Sequence, residues 1–583
     1  MILTGPQREA ARHDGHTLVV ACPGSGKTRA LTAKLLRCVE EVRNSARKVA
    51  CITYTNAAVY EIESRLRAYG TTGDDDYCDI STIHAFCLNN VLRYFDWKLL
   101  GYPDGLTVLP PDSEQYRQIV VSICDDHGFG TRARENFELL NREPDGTPIT
   151  EPPLTPEVAL DFWGRLQGQG CIDFANIIYL SYRLMSDWPT IAHALACRFA
   201  WVLVDEFQDT SALQVEIFRL IGRAGRTKFF LVGDPYQSIF GFAGARPDLM
   251  REFAKEIKAW RSPELLINFR SGNPVIQHAE RLCPRRPPMR PGGDAAAYSD
   301  QPIYVHTDTA FRGVIDYFVP ALEELGIEYG NAAILAPWWV KLLQLGRQLR
   351  DYGIPIVGPG ARPYRRSHLF ASLAEEMCAY IEQPDPELIP CIEKELFLLL
   401  NQVTESINYR VYTYGGRTAV FRLIRVAQRL REIHEGGVLW LRAAAEEFAA
   451  ILCAAEFLPA SCGHLLNDSV TGMEADMRRQ GVDVENLSVA DLGIFASNEK
   501  NIKLLTMHRA KGREFEAVAL VDLHDGRIPH FSARTEDEID EARRLIYVSI
   551  TRARRILMYI TDEEDWRNRP SRFLLRGELG LIS

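Results

Sequence analysis

No stretch of this chain reaches the roughly 18 uninterrupted apolar residues that a helix needs to cross a bilayer, so a membrane protein is not expected. The opening MILTGPQREAARHDG has no basic region followed by an apolar core, so a secretion signal is not expected either. None of the 13 cysteines forms a CxxC pair, which excludes a locally encoded zinc ribbon or clustered iron–sulfur site. Their odd number argues against a disulfide framework, and small buried side chains are expected instead. Positive charge is in short supply: 67 Lys and Arg stand against 77 Asp and Glu, a net charge of −10. That argues against a nucleic-acid binder without excluding one, because net charge says little about a groove a few residues wide. Long low-complexity tracts are absent. A soluble, cytoplasmic protein is the expectation.

What is present is length and apolar content. With 583 residues, 46% of them hydrophobic, the chain can bury several cores, and about four domains of roughly 150 residues are expected. Short runs rich in Val, Ile, Leu and Phe read as buried parallel strands. One set is Leu18–Cys22, Val49–Thr53, Trp201–Asp205 and Phe229–Gly233. A second is Ile303–Thr307, Ala332–Leu335, Ile502–Thr506, Val518–Val521 and Leu557–Thr561. Turns or helical patterns follow most of them, as in α/β units around parallel sheets. Two sets read as two α/β domains. Insertions with helical spacing interrupt them at about 90–172 and about 366–495. In the later one, Leu369–Ile381 and Thr418–Ile433 carry apolar residues at helical intervals. Cys283–Gly293 (CPRRPPMRPGG) reads as an exposed basic linker.

The strongest local signal is Ala21-Cys22-Pro23-Gly24-Ser25-Gly26-Lys27-Thr28. It follows an apolar strand and opens a helix. Glycines let backbone N–H groups turn inward around phosphates, and the helix N-terminus adds partial positive charge. Lys27 can reach the β- and γ-phosphates of ATP, and the Thr28 hydroxyl can ligate Mg²⁺. Ala21 stands where the strict pattern has Gly. The second signal is Asp205-Glu206, delivered by an apolar strand to its C-terminal end, where α/β sheets place ligands. Asp205 would hold Mg²⁺ and Glu206 would orient the attacking water. An acidic pair after a strand is common in loops; the upstream phosphate loop gives this one meaning.

Asp205-Glu206-Phe207-Gln208-Asp209-Thr210 resembles the DExxQDT motif of the UvrD/Rep branch of superfamily 1 helicases. Other segments resemble that family's motifs in its order. Leu3–Gln7 resembles the adenine-reading Q motif, Ile52–Ala58 motif Ia, and Ser81–Phe86 motif Ib. Ile172–Phe174 resembles the segment where the chain re-enters the first motor domain. Val232–Phe240 resembles motif III, Ile267–Ser271 the NYRS element, Thr506–Phe515 motif V, and Glu541–Ala553 motif VI. Arg569–Phe573 resembles the closing segment. The likeness runs from Leu3 to Phe573 and is weakest across the two insertions.

The resemblance implies two RecA-like parallel-sheet motor domains, each interrupted by a mainly helical insertion. They are expected at 1–89 with 173–270, and at 271–365 with 496–583; the insertions fall at 90–172 and 366–495. It implies that Arg270 and Arg552 reach the γ-phosphate from separate segments, Arg552 like an arginine finger that works only when the domains close. Gln237 would sense that phosphate. Gln7, Arg29 and Phe269 would hold the adenine, and Glu514 the ribose. Tyr54, Phe86 and Phe242 fall at aromatic positions where bases stack, His84, His508 and His530 at histidines beside the strand, and Thr53, Thr55 and Asn56 at phosphate donors.

Two departures stand out. The family's FRGA reads Phe242-Ala243-Gly244-Ala245 here, so an arginine that couples the nucleotide to the strand is missing, and Arg246 is the neighbouring basic residue that could substitute. The later insertion, of about 130 residues, is shorter than in the large repair helicases. The expected activity is an ATP-dependent helicase or translocase on single-stranded or tailed duplex DNA, 3′ to 5′ by resemblance. A second reading is a nucleic-acid-sensing ATPase that regulates a partner nuclease, as in the Gabija anti-phage system. An unrelated P-loop switch would lack the stacking aromatics and the second arginine-bearing domain.

Overall fold

The structure is a computed structural model. It describes every residue except 1, 69–76, 100–105, 112, 242–243, 359–363, 366, 387, 405–410, 412, 480–483, 486, 495–499, 565–568 and 583. Its frame is two six-stranded sheets. The first contains β1 (Thr17–Val20), β2 (Lys48–Thr53), β3 (Cys78–Thr82), β4 (Phe199–Val204), β5 (Lys228–Gly233) and β6 (Trp260–Arg261), in the order β6-β1-β5-β4-β2-β3. The second contains β7 (Ile303–Thr307), β8 (Ala332–Ala336), β9 (Ile356–Val357), β10 (Ile502–Thr506), β11 (Phe515–Leu520) and β12 (Ala553–Asp562), in the order β7-β12-β11-β8-β10-β9. Every pairing in both is parallel. Helices cover both faces, which is why β1 and β4 are buried at every position and read as unbroken apolar runs rather than alternating ones.

All nine strands expected from apolar runs are present, Ile303–Thr307 and Ile502–Thr506 with the expected ends and the other seven with shifted ones. The three that were not expected have weak signals. β3 reads CDIST, with Asp and Ser inside it, and β6 and β9 are two residues long. The expected helices of the later insertion appear as Ala371–Glu382 and Tyr414–Ile433.

One face of the first sheet packs on the helices Phe174–Asp187 and Pro189–Arg198 and on the Ile83–Leu92 segment. The opposite face packs on the helices Lys27–Val42 and Asn56–Ala68, and this core continues without a break into the later insertion. Tyr60 of the Asn56–Ala68 helix meets Phe397 of the insertion helix Leu388–Thr404, ring centroids 6.2 Å apart. The later insertion is therefore threaded through the chain of the second sheet but shares its apolar core with the first. The earlier insertion has a core of its own around Ile123, Phe137, Phe162 and Trp163. Among the described residues no helix is long and apolar enough to cross a membrane.

Trp440 anchors the later insertion. Its side chain is fully buried between the helices Tyr414–Ile433 and Gly437–Ala454, and its indole N–H donates to the Ala427 carbonyl at 3.1 Å. Trp440→Ala should cost about 3–5 kcal/mol of local stability. Hydrogen exchange should accelerate in those two helices and stay unchanged in Phe174–Asp187.

Candidate nucleotide and nucleic-acid site

Strands β1, β5 and β4 lie side by side, so the loops that follow them converge at one edge of the first sheet. They carry Cys22–Thr28, Asp234–Gln237 and Asp205–Asp209 respectively. Gly24 and Gly26 take φ of +66° and +77°, a region that favours glycine. A Cβ on Gly24 would lie 2.5 Å from Asn268 Oδ1, so the close approach of Asn268 demands glycine as well. The Ser25 hydroxyl donates to the Cys22 carbonyl at 2.7 Å. Cys22 and Pro23 are buried, and burial pushes the Cys22 thiol up to about 12, so these residues shape the loop from within. The loop enters the helix Lys27–Val42, whose first N–H groups have no partner inside the helix. That arrangement suits a phosphate.

Gln7 is buried and braces the loop. Its amide donates to the Ser25 carbonyl at 2.8 Å and accepts from the Thr4 N–H at 2.9 Å. Arg29 is exposed on the following helix. Phe269 is half-buried, its N–H donates to the Gly24 carbonyl at 2.9 Å, and its ring lies against Gly292.

The Lys27 ammonium sits between the two Glu206 oxygens at 2.9 and 3.0 Å. Burial opposes its charge, but Glu206, Asp234 and Asp205 outweigh burial and raise its pKa. Burial would raise Glu206 as well; Lys27 and Lys511 reverse this and hold it well below the usual carboxylate range. Asp205 moves the other way, raised by burial and by the Glu206 charge beside it. The two neighbouring carboxylates thus differ: one is ionised against Lys27, the other ionises fully only when more positive charge arrives. Glu206 also sits at φ +48°, a strained position for a side-chain-bearing residue, which surrounding contacts must hold. One of them is the Gln208 amide, which donates to Glu206 and accepts from the Asp234 N–H at 2.8 Å.

Residues of the second sheet reach this same edge. Arg552, just before β12, is buried, and its Nη2 donates to Gln237 Oε1 at 3.2 Å. Its other acceptors are neutral: the Val548 carbonyl at 2.9 Å, the Arg513 carbonyl at 3.2 Å and the Thr551 hydroxyl at 3.0 Å. Among the described residues no carboxylate pairs with it. Burial and the neighbouring Arg270 pull its pKa down to about 9, which marks a site short of negative charge. Arg270 donates to Glu514 at 2.7 Å and to the Thr551 carbonyl at 3.1 Å. Lys511 donates to Asp209 at 2.5 Å and to the Gln237 carbonyl at 2.6 Å. Arg544 donates to the Ser238 carbonyl at 2.8 Å, and Glu541 accepts from the Gly241 N–H at 2.8 Å. The loop after β5 is gripped along its length by the second sheet's side chains.

The rest of the edge, after β2 and β3, is aromatic. Tyr54 is 41% exposed and stacks on Phe240 with centroids 5.2 Å apart. Phe240 faces His508 of the second sheet at 6.4 Å, and the Lys511 ammonium lies 4.8 Å from its ring. Thr55 is exposed and caps Ala58, and Asn56 is half-buried at the helix start. His84 is half-buried, edge-on to Phe174. Burial lowers His84 to about 4; burial and Lys511 do the same to His508, so both rings are neutral near pH 7. His530 touches Trp338 at 5.1 Å and Phe531 at 4.1 Å, and these two rings are exposed along with Trp339.

Several expectations need correcting. Phe86 is fully buried against Phe199 in the core of the first sheet and cannot present a face to a base. Thr53 is buried, and its hydroxyl donates to the Thr55 carbonyl at 3.0 Å, so it is not turned toward a phosphate. Arg246 pairs with Asp248 at 2.7 Å. Phe242 and Ala243 lie outside the described residues. Cys283–Gly293 is exposed as expected at Pro284, Arg286, Pro287, Pro288, Arg290 and Gly293, but Cys283, Arg285 and Met289 are buried, and Arg285 forms an ion pair with Asp234. Composition reads Pro and Arg as solvated and cannot show that a buried carboxylate elsewhere requires one of them. Lys511 lies in the Thr506–Phe515 segment without a role having been expected for it, and Trp338 was missed, since a single tryptophan in a loop has no periodic signature.

Two parallel α/β sheets meeting at one seam, with a phosphate-type loop on the first and a buried arginine from the second, define a P-loop protein of the class with two RecA-like domains. Comparison with known proteins narrows this. Residues 3–258 match the UvrD/REP helicase N-terminal domain and residues 482–564 the UvrD-like helicase C-terminal domain, together more than half of the chain. The ATP-dependent DNA helicase PcrA of Leuconostoc citreum is 24% identical over 98% of this chain and 84% of its own length. The ATP-dependent DNA helicase UvrD1 of Mycobacterium tuberculosis is 27% identical over 95% of this chain and 81% of its own. The ATP-dependent DNA helicase Rep of Escherichia coli is 24% identical over 98% of this chain and 93% of its own. The chain belongs to the UvrD/Rep family of superfamily 1 helicases.

The Lys511–Asp209 pair ties the two sheets and should respond to pH. Burial raises Asp209 to about 6, and Lys511 works in the opposite direction. The contact therefore favours the ionised carboxylate; it is strongest above that pH and weakens as pH falls through it. Pulsed dipolar distances between spin labels on the two sheets should broaden between about pH 8 and about pH 5. In Lys511→Ala they should be broad at both. An unchanged distribution in that variant would remove the pair from the seam.

Proposed function

We propose that this chain is an ATP-driven translocase and helicase that moves along single-stranded DNA, in the 3′-to-5′ direction its family resemblance implies. The Arg552–Gln237 hydrogen bond carries the reading, because it brings an arginine of the second sheet to the edge that holds Lys27 and Glu206. Such an arginine acts on phosphoryl transfer only while the seam is closed, so hydrolysis is coupled to movement of the two bodies. We take these as 1–89 with 173–270 and 271–365 with 496–583, with insertions at 90–172 and 366–495. The names of the relatives support ATP and DNA as substrates.

The phosphates of ATP would lie in the Cys22–Thr28 loop. Lys27 would exchange Glu206 for phosphate oxygens, and the freed Glu206 would polarise the attacking water. Thr28 and Asp205 fit Mg²⁺, since a hard cation takes hydroxyl and carboxylate oxygens and Asp205 is a carboxylate short of counter-charge. When bound, the ion would neutralise the charge that develops on the phosphoryl group. Gln237, Arg270 and Arg552 would face the γ-phosphate, Gln7, Arg29 and Phe269 the adenine, and Glu514 the ribose. The Tyr54–Phe240–His508 stack and the Trp338–His530–Phe531 cluster offer π faces for bases on either side of the seam. Thr55, Asn56 and His84 would meet the backbone of the strand.

Glu206→Gln should keep ATP binding and lose hydrolysis, whereas Arg552→Ala should lower kcat by about 10³-fold with much less effect on nucleotide affinity. Parental turnover in either variant would refute the assignment. Single-stranded DNA should stimulate ATP turnover, and its affinity should fall as salt rises; a rate indifferent to any strand would refute the track. Displacement assays on 3′- and 5′-tailed duplexes read the direction. Strand-stimulated ATPase without displacement or translocation would favour the second reading, a sensing ATPase that regulates a nuclease.

A further inference from the structure

Arg285 belongs to none of the recurring motifs, yet only 6% of it is exposed. Its guanidinium pairs with Asp234 Oδ1, donates to the Tyr547 hydroxyl at 3.1 and 3.2 Å, and lies 4.4 Å from the centre of the Tyr236 ring. Asp234 has no exposure to solvent. Its second oxygen accepts from Gln237 Nε2 at 2.6 Å, and Gln237 Oε1 accepts from Arg552. Tyr547 lies on the helix Glu536–Ile550, which leads directly to Arg552. One buried guanidinium thus joins three segments: the chain leaving the first sheet, the loop after β5 and the helix before Arg552.

An amide side chain has a donor end and an acceptor end, and its neighbours decide which faces which way. An ionised carboxylate can only accept, so it holds the Gln237 NH₂ toward itself and turns the oxygen to Arg552. A buried carboxylate stripped of its cation takes up a proton or draws in another cation. Without the guanidinium on its other oxygen, the Asp234 carboxylate is no longer held in place against Gln237, and the amide is free to turn its NH₂ against the Arg552 guanidinium. We propose that Arg285 is a positioning residue for ATP hydrolysis: by pairing with Asp234 it fixes the Gln237 amide with its oxygen toward Arg552. The proposal rests on the reading of Gln237 and Arg552 as groups that act on the γ-phosphate.

The test is a double-mutant cycle read by ATP turnover at saturating single-stranded DNA. Arg285→Met should lower kcat by about 10- to 100-fold, the scale of a misplaced catalytic group. KM and the affinity for a non-hydrolysable ATP analogue should stay within about threefold. In a Gln237→Ala background the same substitution should change kcat by less than about twofold, because the group it positions is gone. Arg285→Lys keeps the charge but lacks the planar fork that reaches Asp234 and Tyr547 together, and should recover only part of the rate. Parental turnover in Arg285→Met overturns the proposal. So does an equal loss in the parental and Gln237→Ala backgrounds, which a merely structural role would produce. If Arg285→Met leaves the Asp234 charge stranded and does not fold, the Arg285→Met/Asp234→Asn protein takes its place. It must show the same loss and the same dependence on Gln237, and independence from Gln237 overturns the proposal. A parent protein without strand-stimulated ATPase overturns the underlying reading instead, before any variant is compared.

Discussion

Asp234 is the point at which the charges of the seam are balanced. Its carboxylate is fully buried, with Arg285 on one oxygen and Gln237 on the other, and its N–H donates to Gln208. Through Gln208 it is joined to Glu206 and Asp209, through Glu206 to Lys27, and through Asp209 to Lys511. Through Gln237 it is joined to Arg552. The result is one connected set of buried and half-buried polar groups running from the phosphate-type loop of the first sheet to the arginine of the second. In a low dielectric such a set is costly when any member lacks its partner and rigid when all are satisfied. A change at one end therefore carries to the other without a large backbone movement in between.

Two kinds of contact hold the bodies of this protein together, and they differ in how readily they yield. The later insertion and the first sheet share an apolar core, including Val59, Ile62, Phe397 and Trp440. Apolar burial has no directional requirement and grows with area, so that junction is cooperative and slow to open. The seam between the sheets combines an apolar patch, in which Cys22 and Ile239 join the core of the second sheet, with polar contacts concentrated on the loop after β5, through Lys511, Arg544, Glu541 and Arg552. The half-buried contacts of Arg544 and Glu541 can be exchanged for water at modest net cost, whereas the buried contacts of Lys511 and Arg552 need a new partner when theirs is lost. Relative movement at the seam is therefore easiest when a ligand takes over those buried polar contacts.

How much of this was legible in the sequence follows from how local each signal is. The apolar runs, the glycines at 24 and 26, and the acids after β4 are short-range patterns, and the structure places all of them at one edge because β1, β5 and β4 are neighbours. Sequence order alone hides that adjacency. Motif position did not separate Tyr54, which is exposed, from Phe86, which is buried two strands away from the nucleotide loops. A ring's type does not say which face of the sheet it joins. Arg285 was illegible for the opposite reason. Its own neighbourhood of prolines and arginines looks solvated, and its meaning comes from Asp234, which is 51 residues away.

The two guanidiniums near Gln237 close the argument about charge. Arg270 and Arg552 repel one another, and burial deepens the deficit around Arg552. Among the described residues Glu514 is the one carboxylate bonded to Arg270, and it is largely exposed while Arg552 is not. A solvent-facing carboxylate is a weak counter-charge that can be given up, whereas a buried one could not be. On the reading proposed for this site, Glu514 turning to a ribose would release Arg270 in the same step, and a phosphate chain beside Lys27 would be the anion that satisfies both arginines. The same movement would then build the sugar contact and the phosphate contact together. An exposed Glu514 paired with Arg270 is the arrangement that permits it, and a buried pair at that position would lock the site.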